Sequence, residues 1–177
     1  MSERRAPEMT KEERLQYFRL LRSHPEQYLR IAEETIRKYP DGIEGYSDCA
    51  DYYIEMEQYD EALRHLDQAI LLDPDALLLP FERATMLRRA GRYRDALVAF
   101  DSCEKDEQRL GDILYANRAT CHAHLGDLDA ALAECAKIAD DYKSHSIYGQ
   151  FGGSKAQIID AVRRVAGAVR KDQQQRP

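Results

Sequence analysis

No run of apolar residues in this 177-residue chain approaches the roughly 18 positions needed to cross a bilayer. The opening residues, MSERRAPEMTKEER, place no apolar stretch behind their arginines, so they do not read as a secretory signal. Cysteine is scarce, and Cys49, Cys103, Cys121 and Cys135 form no CxxC pair. Isolated thiols of this kind behave as small buried hydrophobes. The expectation is a cytoplasmic, reducing setting. Bases are nearly missing between residues 42 and 76, where ten acids face Arg64 alone. From Lys143 onward the balance reverses, with seven bases against two acids. The net charge of −6 argues against a nucleic-acid backbone as the main partner.

Catalytic motifs are equally scarce. GQFGGSK at Gly149–Lys155 has the glycines of a phosphate loop, but the order GxxxxGK[ST] is wrong and no strand precedes it. CHAH at Cys121–His124 puts two histidines two positions apart, on different faces of a helix, where zinc prefers i and i+4. No Ser–His–acid or paired-carboxylate arrangement emerges at any spacing. The chain reads as a non-enzyme without a metal or cofactor.

What the sequence does have is an internal period. QYDEALRHLDQAILLDPD from Gln58 returns as RYRDALVAFDSCEKDEQ from Arg92 and as DLDAALAECAKIADDYK from Asp127. Ala62, Ala96 and Ala131 align, followed four positions later by Leu66, Phe100 and Cys135. The spacings, 34 from Ala62 to Ala96 and 35 from Ala96 to Ala131, mark a repeat array. Each unit reads as two helices. Tyr46, Cys49, Ala50 and Tyr53 fall at i, i+3, i+4 and i+7, and a second helix presents Ala62, Leu63, Leu66, Ala69 and Ile70. Pro74 stops it.

The pattern Tyr46, Ala50, Tyr53, Tyr59, Ala62, Leu66, Ala69, Pro74 resembles the tetratricopeptide repeat. The resemblance implies an all-α, right-handed superhelical solenoid of about four antiparallel helix pairs. Boundaries are expected at 9–42, 43–76, 77–111 and 112–142, after a disordered stretch 1–8. The first unit is worn, with Leu15, Ala32 and Ile36 in core slots and capping boxes at Thr10–Glu13 and Ser23–Glu26. Gln16 and Tyr28 replace small residues there, and Arg83 and Arg118 occupy a slot that is normally large and apolar. A Gly-containing linker at 143–153 leads to a capping helix at 154–171 that Ser154 and Gln157 open. Its apolar stripe is Ile158, Val162, Val165 and Val169, and a disordered tail, 172–177, closes the chain. The basic residues of that helix could suit a membrane surface, but an array needs its last edge covered, and the capping role is preferred.

The resemblance also implies a concave groove lined by the first helix of each pair. Transferred to this register, it takes Tyr17 and Leu21, then Glu44, Ser47, Asp48, Asp51, Ile54 and Glu55. The third unit adds Leu78, Phe81, Glu82, Thr85, Arg88 and Arg89, and the fourth adds Ile113, Ala116, Asn117, Thr120 and His124. Family members that clamp acidic EEVD tails use lysines, asparagines and an arginine. The matching slots here, with Asp51 and Glu82 among them, would repel a carboxylate, and that specificity is rejected. The expected function is a protein-binding adaptor or co-chaperone that holds a segment mixing basic and apolar residues. A dedicated chaperone masking one secreted or toxic partner, or a structural subunit that self-associates as a homodimer, are the alternatives.

Overall fold

The computed structural model describes residues 9–76, 78–103, 110–144 and 153–175. Its described residues are almost wholly helical and divide into two compact units, Met1–Met86 and Leu87–Pro177. The predicted disordered start, 1–8, lies outside the described residues, as does most of the linker.

The first unit holds α1 (Lys11–Ser23), α2 (Pro25–Lys38), α3 (Glu44–Glu55), α4 (Tyr59–Leu72) and most of α5 (Leu78–Arg89). Thr10 opens α1 with the expected capping box. Its N–H donates to Glu13 Oε2 at 2.8 Å, and the Glu13 N–H returns to Thr10 Oγ1 at 3.3 Å. The second expected box does not form. Ser23 is still the last residue of α1 and donates to the Arg19 carbonyl, while His24 caps α2 and Pro25 takes its first position. Proline needs no N–H partner there, which leaves a serine cap little to add.

The worn unit also differs in phase from its expected core. Leu15 is 53% exposed, and α1 instead buries Tyr17, with Leu20 and Leu21 packed beside it. Ala32 is fully buried and Ile36 partly so. Gly45 lets α3 lie close on α2, because a β-carbon there would come within 2.7 Å of Ile36 Cγ1 and 2.9 Å of the Ala32 carbonyl. Across the α3–α4 pair, Cys49, Ala50, Ala62, Leu66 and Ala69 form the buried stripe expected from the repeat. The chain turns at Glu57 with φ 56°, in the slot that Gly91 (φ 74°) and Gly126 (φ 80°) fill later.

The second unit holds the end of α5, α6 (Tyr93–Asp101), α7 (Asp112–His124), α8 (Leu128–Lys137) and α9 (Lys155–Gln175). Its core gathers Ala116, Ala119 and Ala123 from α7 with Ala131 and Cys135 from α8. Ile158, Val162 and Ala166 of α9 close over them, with Val165 at the margin. Ser154 and Gln157 form the expected capping box at 2.8 and 3.4 Å. A two-residue ladder, β1 (Lys143–Ser144) against β2 (Gly153–Ser154), brings α9 back to its neighbours. The last helix runs through Gln175, so residues 172–175 are helical where the sequence reading placed a disordered tail.

The arginines in the apolar slot are accommodated by a partner that repeats with them. Arg83 donates to Asp67 within the first unit, and Arg118 sits 3.2 Å from Asp101 within the second. Arg118 is also 3.2 Å from the buried Glu134, so its guanidinium head is neutralised while its stem packs.

Candidate functional site

The first helix of each pair carries two polar slots that recur at the repeat spacing. One holds Asp48, Glu82 and Asn117, and the other holds Asp51, Thr85 and Thr120. Helical geometry puts the slots three residues apart on one face, so each helix presents a polar edge.

In the first unit that edge is acidic. Glu44, Asp48, Asp51 and Glu55 fall at i, i+4, i+7 and i+11, a single stripe along α3. Asp48 is only 3% exposed and accepts a hydrogen bond from the Tyr28 hydroxyl at 3.3 Å. Tyr28 is fully buried and stacks on Tyr17 with ring centroids 4.3 Å apart, and the Tyr17 hydroxyl donates to the Tyr28 carbonyl at 3.4 Å. Burial raises the Asp48 carboxyl to about 6, against the opposing pull of Arg14 and the two tyrosines. Asp51, half-buried, is pushed up to about 7 by burial, and the charges of Glu82 and Asp48 add to it. The same surroundings push both phenols upward. Thr85 on α5 is 4% exposed, and its hydroxyl has no hydrogen-bond partner.

In the second unit the corresponding edge is neutralised internally. Arg88 is buried and donates through Nε to Asn117 Oδ1 at 2.8 Å, and Asn117 Nδ2 donates to the Ile113 carbonyl at 2.8 Å. The Thr120 hydroxyl donates to the Ala116 carbonyl at 2.7 Å.

The predicted groove residues thus divide by burial. Tyr17, Asp48, Ile54, Thr85, Arg88, Asn117 and Thr120 are interior, because the slots lie where neighbouring helices meet. Ser47, Asp51, Phe81 and Ile113 are half-buried, and Glu55, Leu78 and Glu82 are exposed. Arg89 and His124 are half-buried too, so the accessible set reaches both units, with most of it in the first. The aromatic support of Asp48 was not anticipated. Its only sequence signal is Tyr28, a large residue where the repeat expects a small one.

Residues 149–152 of the phosphate-loop-like stretch lie outside the described residues, and among those described the remaining candidates do not come together. All four cysteines are free and buried, and burial pushes the Cys49 and Cys121 thiols up to about 12, which leaves them protonated and inert. His124 stacks on Tyr93 at 4.5 Å, and burial lowers both His122 and His124. Among the described residues no three His, Cys, Asp or Glu side chains gather as metal ligands, and no helix is long and apolar enough to cross a membrane.

A family model described as Tetratricopeptide repeat matches residues 43–76, the unit built by α3 and α4. The whole fold is similar to MamA 41-end from Desulfovibrio magneticus RS-1, with a TM-score of 0.65 at 17% identity over 93% of this chain and 95% of that one. Residues 43–76 are a tetratricopeptide repeat, and the fold around them is of the same helical-repeat type. The MamA RS-1 ArsTM double mutant gives the same fold, with a TM-score of 0.63, 15% identity and coverage of 90% and 93%.

Two curated proteins share sequence with this chain. Protein FlbA of Caulobacter vibrioides is 29% identical over 126 residues, which is 71% of this chain and 21% of that protein. Inclusion body clearance protein IML2 of Vanderwaltozyma polyspora is 34% identical over 91 residues, 49% of this chain and 12% of that one. The chain therefore spans a small part of either relative. Ala62, Ala96 and Ala131, all fully buried, are the small residues that let the helix pairs close.

Proposed function

We propose that this protein is a non-catalytic adaptor that holds a partner segment mixing basic and apolar residues on the first unit. Ser47, Asp51 and Glu55 on α3, with Leu78, Phe81 and Glu82 on α5, are accessible members of the expected groove in the first unit. The observation that carries the reading is the pairing of the α3 acidic stripe with Leu78, 56% exposed, and the half-buried Phe81. Exposed apolar side chains rimmed by charge are the usual mark of a protein-binding surface. The acids steer a basic partner and the apolar residues retain it. The four reduced thiols fit a cytoplasmic setting.

The test starts from a partner captured from native lysate, identified by mass spectrometry and purified. Asp51→Lys with Glu55→Lys should slow its association about tenfold at low salt. Phe81→Ala should speed its release by a similar factor, about tenfold, because a few buried anchors hold most of the affinity. A natural partner that ignores both changes sinks the reading.

A further inference from the structure

We propose that the acidic edge of the first unit is a seat for one cationic side chain, the ammonium or guanidinium of a partner's lysine or arginine, held between Asp51 and Glu82. The inference rests on the adaptor reading and names the contact that selects the partner.

Three observations point to a cation. First, like charges converge without an adequate counter-charge. Asp51 feels Glu82 and Asp48, Asp48 feels Glu44, and Arg14 of α1 is the cation that opposes them. Arg14 is exposed, with its guanidinium over the Phe18 ring at 5.2 Å. Tyr17 of α1 and Tyr28 of α2 supply hydroxyls but no positive charge. On the other side of α3, α4 offers His65 stacked on Tyr53, and the field of Arg64 reaches Cys49 and Tyr53.

Second, Thr85 is nine-tenths buried with an unpartnered hydroxyl, and it lies one turn beyond Glu82 on the same face of α5. Its repeat equivalent, Thr120, bonds its own helix. A free buried acceptor beside a carboxylate suits the N–H donors of a Lys or Arg head, which has several to place.

Third, the repeat register shows what is missing. In the second unit Arg88 donates to Asn117. One repeat earlier those two positions hold Ile54 and Glu82. The first unit has kept the acceptor, as an acid, and has an apolar residue where the arginine would be. A partner's cation restores the pairing from outside.

The seat ties binding to protonation. Asp51, raised to about 7, is largely neutral in mild acid and charged above neutrality, so a cation binds best at high pH and drives off a proton as it arrives. The probe is a blocked tripeptide with lysine between two leucines, compared with the same peptide acetylated on the lysine. Both are titrated into the full-length, isotope-labelled chain and followed by amide chemical shifts. The lysine peptide should perturb Asp48, Asp51, Glu82 and Thr85 and bind about tenfold more tightly at pH 8 than at pH 5.5, as the ionisation of Asp51 dictates. Asp51→Asn should remove most of that pH dependence, and Glu82→Gln should weaken binding at pH 8.

Equal binding of the acetylated peptide, or an affinity indifferent to pH, overturns the seat. If both peptides bind equally and both weaken with Phe81→Ala, the apolar surface stands and the seat falls. If the lysine peptide still seats at Asp51 while the natural partner ignores both the charge reversal and Phe81→Ala, the adaptor reading fails and the seat remains.

Discussion

The two units run the same repeat with opposite treatment of its polar edge. In the second, Arg88, Asn117 and Thr120 bond to one another's helices or to their own, and nothing on that edge needs an outside partner. In the first, the equivalent slots hold Asp48, Asp51, Glu82 and an unpartnered Thr85. A protein gains stability by satisfying buried polar groups, and it keeps them unsatisfied where something else will. The second unit satisfies its polar edge from within, and the first leaves part of its own open.

The largest effect is expected from damaging the satisfied edge. Asn117→Ala removes an acceptor from a buried arginine and should cost about 1–3 kcal/mol in urea unfolding, the usual cost of losing a buried hydrogen bond. A cost below 0.5 kcal/mol, roughly that of a neutral surface change, would mean that the second edge is not satisfied by this contact.

Mild acid should separate the units by sign. The folded values of Asp48 and Asp51, about 6 and 7, lie above their ordinary range, so the native state holds protons that the unfolded chain releases. Their contribution is complete below about pH 4 and is lost as pH rises through 7. His122 and His124 are lowered by burial, so theirs is complete above about 6.5 and is lost as pH falls below it. His65, also lowered, opposes the acids within the first unit but does not cancel two of them. Between pH 7.5 and 5.5, hydrogen exchange should therefore show α3 gaining about 1 kcal/mol of protection while α7 loses protection. Parallel changes in both helices would end the distinction.

The smallest effect is the sharpest comparison. Thr85→Val and Thr120→Val make the same chemical change at the same repeat slot. The first removes an orphaned hydroxyl and should stabilise by about 0.5–1 kcal/mol, and the second removes a made hydrogen bond and should destabilise by about as much. If the two shifts had the same sign in thermal melts, Thr85 would not be the unsatisfied member of the pair.

How much of this the sequence disclosed depends on range. Ala62, Ala96 and Ala131 could be placed because packing between paired helices is local and recurs with the period. The Thr10–Glu13 and Ser154–Gln157 boxes were legible for the same reason, as both partners lie within one turn. Leu15 was misplaced because the worn unit lacks the alanines that fix helix phase, and Tyr17 and Tyr28 set a different face. Half of the groove proved interior because slot numbers give direction from a helix but not the closeness of the next one. The bond from Tyr28 to Asp48, spanning 20 positions, depends on that closeness, and no local pattern encodes it.

The ladder that returns α9 has a consequence for the order in which the molecule assembles. Most contacts in the array join helices adjacent in the chain, whereas Arg170 donates to the Gly126 carbonyl across 44 positions, and Val169 reaches the same turn. Closing so long a loop costs entropy before any contact repays it, so such pairings form late. As the chain leaves the ribosome, α7 and α8 therefore wait with Ala116, Ala123 and Cys135 uncovered until α9 has been made and has folded back. That interval, rather than the finished protein, is when the second unit is most open to aggregation.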